Sequence, residues 1–438
     1  MRGGFAVEIN RYDWRTAPEE ERRRVIRRSA QDISEQMEQV APILARVRSE
    51  GDAALSAFTR EFDGVAVAAD RLAVTEAEIA RAEADLDEDT KATLRYAHGN
   101  IRKFHAAQMP APMWMMEIER GVMAGEKVTP ISDVALYVPR GKGSFPSVLL
   151  MLGTPATVAG VARVGVFTPP NERGEVDPAI LYAAHLLGIR EMYRVGGPHA
   201  VAAAAYGTET IRPFAKIVGP GNPYVTAAKR LLAGVIDPGV PAGPSEAVIL
   251  CDEAADPRKA ALDLLIEAEH GPDSAALLVT HSRELADRVE AELAPLIARI
   301  ESANRRSFAQ TVLSRYGGIV LTESLEASIA FVNAYAPEHL EVLVRDPFGV
   351  LPQIEHAGEI LLGEHTPITL CNFLLGPNAI LPTGRHARTV SAVSIHDFLK
   401  RSSIGYATAE GFARVRDHAA RFADVEGFET HARAVRER

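Results

Sequence analysis

Cysteine, long apolar runs and surplus positive charge are all scarce in this sequence of 438 residues. Only two cysteines occur, Cys251 and Cys371, far apart and in apolar surroundings. They predict free, buried thiols in a reducing compartment and argue against a disulfide framework. No stretch reaches the roughly 18 apolar residues that a membrane-spanning helix needs, and the segment from Met1 to Trp14 is too polar for a signal peptide. We therefore expect a cytoplasmic protein without a membrane partner.

The charge balance is acidic, because 58 Asp and Glu residues outnumber 48 Lys and Arg residues. Nucleic-acid binding needs a concentrated basic face, so the composition predicts no nucleic-acid partner. Hydrophobic residues make up 47% of the chain and charged residues 24%, as in ordinary globular proteins. A chain of this length is too long for one small core, which favours two large domains with appendages.

The pattern of apolar residues predicts helices first and α/β units afterwards. Residues 17–115 carry apolar positions at helical spacing, with little glycine or proline. From Asp133 onwards, short β-branched runs lead into glycine- or proline-rich turns and then into alanine-rich helices. A second series follows from Ala247 to Leu362, and helix is expected again from Phe398 to the end. The alternation predicts parallel sheets, in which ligands gather beyond the carboxyl ends of the strands.

The glycine-rich turns are candidates for a nucleotide site. Gly219-Pro220-Gly221-Asn222, for example, lies between a predicted strand and a predicted helix. Backbone N–H groups and the positive end of the helix dipole could face a phosphate there. Any one such turn, taken alone, is explained as well by the need for a positive φ.

Glu267 and His270 are candidate metal ligands. They are three residues apart in the last turn of a helix predicted over 257–270, so they share one face. A carboxylate and an imidazole in that arrangement suit zinc. The other interpretation is a surface glutamate beside a histidine that the helix C-terminus stabilises, and the two residues alone favour it.

Glu338 and His339 are candidates for acid–base chemistry. They stand after Pro337 at the start of a predicted strand, where adjacent side chains point to opposite faces. A histidine with a carboxylate nearby can act as a general base near neutral pH. A solvated histidine at a loop end explains these residues equally well.

Several short motifs together resemble the histidinol dehydrogenase family over nearly the whole chain. They occur in the family's order and comprise Gly219–Asn222, Pro241–Glu246, Glu269–Ser274, Pro337–Leu340, Leu381–Gly384 and Gly427–Ala432. The resemblance implies an α/β fold of two incomplete Rossmann-like domains, with a helical N-terminal segment and a C-terminal helical arm. The implied boundaries are 1–30 for the N-terminal segment, 31–132 with 246–388 for the first domain, 133–245 for the NAD-binding second domain, and 389–438 for the dimerisation arm.

The resemblance also implies a reaction and the residues that perform it. The family oxidises L-histidinol to L-histidine in two NAD-dependent steps, through an aldehyde held in the site. His339 would then be the general base, and Glu338 would activate water for attack on the aldehyde. The remaining matching positions are Tyr137, His199 and Asn222 for NAD, and Ser147, Ser245 and Glu426 for substrate. His199 stands where the family has glutamine.

The zinc ligands implied by the resemblance differ from the family pattern. The family uses glutamine, histidine, aspartate and a histidine from the partner subunit, and the matching positions here are Glu267, His270, Asn372 and His431. A carboxylate and an amide have changed places, so the set keeps one negative charge. We therefore expect a zinc-binding homodimer with two composite sites.

Two pocket positions also depart from the family and leave the substrate open. Ile368 replaces a glutamate, and Ala379 replaces a histidine just before the Leu-Pro-Thr motif. Because a buried ammonium group needs polar partners, the sequence favours a primary alcohol other than histidinol, for example a small anionic diol such as sulfopropanediol. One alternative is authentic histidinol dehydrogenase activity. Another is a catalytically silent binding paralogue, against which the retained Glu338 and His339 argue.

Overall fold

The computed structural model describes residues 7–27, 33–140 and 143–438 as a mixed α/β protein. Within these ranges the strands are β1 (Arg11–Asp13), β2 (Met113–Glu119), β3 (Val122–Pro130), β4 (Asp133–Tyr137), β5 (Arg163–Phe167), β6 (Glu191–Tyr193), β7 (Lys216–Val218), β8 (Glu246–Cys251), β9 (Ala275–Thr280), β10 (Gly318–Leu321), β11 (His339–Leu343), β12 (Glu359–Leu362) and β13 (Leu399–Ala407). The helices are α1 (Glu19–Arg27), α2 (Ser34–Glu50), α3 (Asp52–Phe62), α4 (Glu76–Asp85), α5 (Glu88–Ala107), α6 (Pro146–Val158), α7 (Pro178–Leu187), α8 (Gly197–Tyr206), α9 (Pro223–Leu231), α10 (Pro257–Ala268), α11 (Arg283–Ala298), α12 (Ala303–Arg315), α13 (Leu325–Tyr335), α14 (Pro347–Val350), α15 (Ile368–Phe373), α16 (Ala409–Val425) and α17 (Glu429–Arg436).

Strands β4 to β7 form a four-stranded parallel sheet in the order β6-β5-β4-β7. Alternate residues of a strand face opposite sides of the sheet. Val134 and Leu136 therefore pack into the core beneath α6 and α7, whereas Ala135 and Tyr137 pack into the core beneath α8 and α9. Both faces of this sheet are covered by helices, as expected for parallel strands.

The helices between residues 34 and 107 pack on the helices of this four-stranded sheet. Val40 of α2 belongs to the core beneath α8 and α9, and Ile101 of α5 belongs to the core beneath α6. The domain boundaries implied by the resemblance, which group residues 31–132 with 246–388, stay a prediction.

A six-stranded parallel sheet has the order β1-β10-β9-β8-β11-β12. Ala247 and Ile249 face the helices α10 to α12, while Val248 and Leu250 face α13. Strand β1 at one edge comes from the predicted N-terminal helical segment, of which residues 1–6 and 28–30 lie outside the described residues. The segment therefore contributes a strand as well as helix α1.

A three-stranded antiparallel sheet has the order β13-β3-β2. Strand β13 belongs, with α16 and α17, to the predicted C-terminal arm. The sequence prediction of helix up to residue 115, and again from Phe398, is wrong at β2 and β13. Strand β13 pairs with β3 along its whole length, from Leu399 opposite Pro130 to Ala407 opposite Val122. This pairing joins segments that are far apart in the chain, so local periodicity does not reveal it.

No helix in the described ranges is long and apolar enough to cross a membrane.

Candidate active site

Helix α10 carries the two candidate metal ligands at its C-terminal end. The helix starts at Pro257 because the side chain of Asp256 accepts hydrogen bonds from the backbone N–H groups of Arg258 and Lys259, at 2.9 and 3.0 Å. Glu267 is only 1% exposed, so the interpretation of a surface glutamate is wrong. His270 Nδ1 lies 3.3 Å from Glu267 Oε2 and 2.9 Å from the carbonyl oxygen of Ile266. The three-residue spacing thus brings the carboxylate and the imidazole together.

Strand β11 begins with His339, which is 3% exposed. The interpretation of a solvated histidine at a loop end is therefore wrong. His339 Nε2 lies 3.8 Å from Glu338 Oε1 and 4.0 Å from Glu267 Oε1. On its other side, His339 Nδ1 is hydrogen-bonded to Glu359 Oε1. The structure therefore joins the candidate base and the candidate metal ligands in one cluster.

Glu338 and His339 are close to each other although adjacent residues of a strand point apart. The expectation that the two side chains lie on opposite faces is wrong, because β11 begins only at His339. Glu338 lies in the preceding loop, and its Oε2 accepts a hydrogen bond from the backbone N–H of Glu246 at 2.8 Å. This bond leaves Oε1 beside the imidazole.

The crowding of carboxylates determines the charge state of this cluster. Burial raises the pKa of Glu338 well above its ordinary value, and the nearby Glu267 and Glu246 raise it further. Burial lowers the pKa of His339, but the carboxylates of Glu338, Glu359 and Glu267 outweigh burial and raise it to about 10. Acid–base chemistry is favoured where such environments separate the pKa values of neighbouring groups.

Glu267 has the environment expected of a cation ligand. Within the described ranges, neither of its carboxylate oxygens accepts a hydrogen bond. A buried carboxylate without donors is costly, and a bound cation removes that cost. Zinc accepts carboxylate oxygen and imidazole nitrogen, so Glu267 and His270 fit the metal.

The cluster lies at the amino-terminal edge of the six-stranded sheet. His339 and Glu359 begin neighbouring strands, and Glu246 begins the strand on the other side of β11. This position differs from the carboxyl edge that parallel sheets favour for ligands. The charged groups come from the first residues of these strands, from the loop of Glu338 and from the C-terminal end of α10.

The four-stranded sheet has a cavity at its carboxyl edge, as the sequence predicts for a ligand. Tyr137, His199 and Asn222 all line this cavity of about 610 Å³. The hydroxyl oxygen of Tyr137 accepts a hydrogen bond from the backbone N–H of Gly197 at 3.0 Å. Asn222 caps α9 by accepting a hydrogen bond from Val225 N–H at 3.0 Å. The three proposed cofactor residues therefore surround one space at the N-termini of α8 and α9.

His199 is the most perturbed residue of this cavity. It is fully buried, and Phe58 and Phe62 lie against its ring at 5.8 Å between centroids. Burial lowers its pKa to about 3, which keeps the imidazole neutral at physiological pH. Its Nε2 lies 3.5 Å from the hydroxyl of Thr59.

The remaining predicted residues are spread over four elements. Ser147 lies in the first turn of α6, Ser245 directly precedes β8, and both are half-buried. Asn372 lies in α15, which packs on α10. Glu426 and His431 are exposed on the arm, where the ring of His431 lies 5.0 Å from that of Phe428.

Sequence reasoning missed Glu359 as a member of the cluster. It was assigned only to a predicted strand, with no chemical role. The available signal was a single carboxylate at the start of an otherwise apolar strand. Its contact with His339 depends on the pairing of β11 with β12, which the sequence alone does not show.

Comparison with known proteins confirms the resemblance inferred from the motifs. The family model described as histidinol dehydrogenase matches residues 26–438. A histidinol dehydrogenase homolog of Cereibacter sphaeroides is 56% identical over 94% of this chain and 93% of its own length. The histidinol dehydrogenase of Synechocystis is 50% identical over 94% of this chain and 95% of its own. The crystal structure of histidinol dehydrogenase from Elizabethkingia anophelis superposes with a TM-score of 0.92 at 33% identity, covering 98% of both chains. The chain belongs to the histidinol dehydrogenase family.

Proposed function

We propose that this protein oxidises a primary alcohol to a carboxylic acid in two NAD-dependent steps, through an aldehyde held in the site, with histidinol as the first candidate substrate. The observation that carries the proposal is the buried cluster of His339, Glu338 and Glu267. Members of this family use NAD and bind zinc.

His339 is the proposed base for the alcohol step. Its Nε2 faces the acidic side chains that surround the proposed metal position, which is where a substrate hydroxyl held by zinc would lie. Bound zinc would orient and polarise the substrate oxygen, while NAD would accept the hydride. Charge neutralisation at Glu267 would weaken one of the interactions that raise the pKa of His339 and so favour the neutral imidazole.

Glu338 is the proposed base for the aldehyde step. One of its oxygens is held by the backbone N–H of Glu246, and the other lies beside His339 Nε2. A carboxylate fixed in this way can orient and deprotonate a water molecule that attacks the aldehyde. The proximity of the two groups lets a proton pass between them.

The cavity lined by Tyr137, His199 and Asn222 is the proposed NAD site. Two helices begin at its rim, and helix N-termini favour the phosphate groups of a dinucleotide. The stacked rings of Phe58 and Phe62 also line the cavity and offer an apolar surface to a planar ring of the cofactor.

The proposed zinc site comprises Glu267, His270 and Asn372 of one protomer and His431 of the other. In the family, an aspartate at the position of Asn372 carries the negative charge of the ligand set. In this chain Glu267 carries that charge instead. Packing of α15 on α10 brings the segment of Asn372 towards the helix of Glu267 and His270. Ser147, Ser245 and Glu426 are the proposed substrate contacts.

A homodimer is proposed because the antiparallel sheet and the C-terminal arm expose large apolar side chains. Every residue of the edge strand β2 is exposed, among them Trp114 and Met116. Phe422, Val425 and Phe428 are exposed on the helical part of the arm. Apolar surface of this kind and an open strand edge are typical of protein interfaces. His431 lies on the same arm and could thus reach the partner's site.

An alcohol other than histidinol is the second candidate substrate. Ile368, where the family has a glutamate, is fully buried in the core with Leu264 and Cys371. It offers no charge to a substrate ammonium group. Ala379, where the family has a histidine, offers no polar side chain, and the neighbouring Asn378 uses its side-chain amide to donate a hydrogen bond to the carbonyl of Met151 at 2.5 Å. These two observations favour a neutral or anionic alcohol, such as a sulfonated diol.

The decisive experiment is NADH formation by the zinc-loaded protein with L-histidinol, beside a His339→Ala variant. We expect two NADH per histidinol, and a loss of turnover of about a hundredfold or more without the general base. Absence of turnover with histidinol, but activity with a sulfonated or neutral diol, would support the second candidate. No activity with either, while zinc and NAD bind, would support a silent paralogue and contradict the proposal.

A further inference from the structure

Glu359 is a carboxylate of the buried cluster to which the proposed reaction assigns no role. It begins β12 and pairs in register with His339 at the start of β11. The backbone fixes this arrangement, because Glu359 N–H donates a hydrogen bond to the carbonyl oxygen of Glu338 at 3.0 Å. The Gly358 N–H likewise donates to the carbonyl of Pro337 at 2.9 Å. The loop of Glu338 and the start of β12 are therefore held together.

The side chains of these two residues meet as well. His339 Nδ1 is hydrogen-bonded to Glu359 Oε1, and both side chains are less than a tenth exposed. The opposite ring nitrogen, Nε2, lies 3.8 Å from Glu338 and 4.0 Å from Glu267. The imidazole thus has one nitrogen directed to the sheet and the other to the reacting groups.

From this geometry we infer that Glu359 is a positioning residue for His339, accepting the Nδ1–H hydrogen bond so that Nε2 faces the alcohol. The inference rests on the proposed function for its effect on turnover, but the hydrogen bond itself is independent of that function. A histidine that must accept a proton at one nitrogen needs its other nitrogen protonated and held. Without an acceptor at Nδ1, the ring can rotate or carry its proton on Nε2, and in either case it accepts poorly.

The Cys371 thiol also lies beside the Glu359 carboxylate. A thiol is a weak hydrogen-bond donor, whereas an imidazole N–H is a strong one. The imidazole of His339 is therefore the neighbour whose orientation the carboxylate can control.

Three variants of the full-length, zinc-loaded protein separate positioning from folding. Glu359→Leu removes the acceptor, and Glu359→Gln keeps an acceptor oxygen without the charge. Glu341→Gln is the matched control, because Glu341 is also fully buried and lies two residues along β11 from His339. Burial and the neighbouring Asp263 raise the pKa of Glu341 to about 10, so its carboxyl group is neutral and resembles an amide at neutral pH.

The first readout is the steady-state kinetics with the alcohol that the wild type oxidises. For Glu359→Leu we expect kcat to fall by about a hundredfold or more, while KM stays within about threefold. Glu359→Gln should recover part of this loss, and Glu341→Gln should stay within about threefold of the wild type. Retained kcat in Glu359→Leu, or an equal loss in Glu341→Gln, would overturn the inference.

The second readout does not depend on turnover. In protein labelled with ¹⁵N-histidine, the Nδ1–H proton of His339, assigned by its loss in His339→Gln, should resonate far downfield. It should be lost or shifted upfield in Glu359→Leu and persist in Glu359→Gln and Glu341→Gln. If it is unchanged in Glu359→Leu, the positioning role is contradicted even if turnover falls. If the wild type oxidises no alcohol, the proposed function fails, while this resonance still decides the role of Glu359.

Discussion

At the scale of single residues, burial determines which side chains carry chemistry. Glu267 and His339 each had a solvated interpretation in the sequence, and both are nearly inaccessible. Charged or titratable groups are seldom fully buried unless they are paired or coordinate a ligand. Their burial is therefore the physical reason to assign them to a site.

The buried imidazole of His199 should make the protein sensitive to acid. Its pKa of about 3 in the folded state lies below the ordinary 6.5, so at intermediate pH the unfolded chain binds a proton that the folded chain does not. Above about pH 6.5 the buried His199 therefore does not lower the free energy of unfolding. As the pH falls from there towards 3, His199 lowers the free energy of unfolding increasingly. The slope is at most about 1.4 kcal/mol per pH unit.

We expect His199→Gln, the residue type found in the family, to reduce this acid sensitivity. Measured by chemical denaturation at pH 7 and pH 5, the free energy of unfolding should fall less in the variant by about 1 to 2 kcal/mol. His185→Gln is the control, since His185 is well exposed. Equal losses in the wild type and in His199→Gln would contradict the prediction.

The exchanged zinc ligands make a second prediction for single residues. Glu267→Gln removes the only carboxylate of the proposed ligand set, so zinc affinity should fall by about tenfold or more. Adding Asn372→Asp restores one negative charge and should recover most of the affinity. Competition with a chromophoric chelator measures both.

Glu269→Gln provides the control for this pair, because Glu269 caps the end of the same helix and is not a proposed ligand. It should leave zinc affinity nearly unchanged. If Glu267→Gln binds zinc as tightly as Glu269→Gln does, Glu267 is not a ligand.

At the scale of elements, the contacts between segments determine what each helix and strand does. Helix α10 combines a capped start with a C-terminal end that reaches the cluster. The position of α16 in the arm depends on a contact between two residues that are close in space but far apart in the sequence. A Cβ atom on Gly411, in the first turn of α16, would lie 2.2 Å from the carbonyl oxygen of Gly121 in the turn between β2 and β3.

Gly411→Ala should therefore displace α16 from the antiparallel sheet. Alanine normally stabilises a helix relative to glycine by about 0.5–1 kcal/mol, so any loss reports the clash. We expect weaker dimerisation and lower activity, measured by sedimentation and NADH formation. Gly405→Ala on β13 is the control, since nothing lies within 4 Å of its Cβ position. Identical behaviour of the two variants would show that this contact does not position the arm.

At the scale of the whole molecule, the proposed active unit is a pair of chains. The arm carries His431 and Glu426 on an exposed surface, whereas the cluster around His339 is buried in the body of the chain. A composite site would explain why His431 and Glu426 are exposed on the arm although the proposed reaction takes place at the buried cluster. In a symmetric dimer, each arm would complete the site of the other protomer.

Mixing two inactive variants tests this arrangement. His339→Ala and His431→Ala should each be inactive as homodimers. After joint unfolding and refolding, heterodimers carry both defects in one site and none in the other, so about a quarter of wild-type activity should return. No recovery, although size measurements show that mixed dimers have formed, would place His431 in the site of its own chain.

The family and most of the α/β elements were predictable from the sequence. Strand–turn–helix periodicity predicted the alternation in which β4 to β12 occur, because a parallel sheet buried on both faces leaves a regular local pattern. The motifs around Gly219, Glu269 and Glu338 identified the family, because the order of motifs along the chain can be read directly from the sequence. The three cofactor candidates line one cavity, because each lies at the end of a strand or at the start of a helix along one edge of the four-stranded sheet.

Only the tertiary structure decided which segments meet. The pairing of β13 with β3, the packing of α2 to α5 on the four-stranded sheet, and the contact between His339 and Glu359 all join residues distant in sequence. The local sequence is compatible with other pairings and packing partners for each of these segments. Long-range packing therefore decides which segments meet. Burial of Glu267 and His339 likewise depends on what covers them, and the charge state of the site follows from that burial.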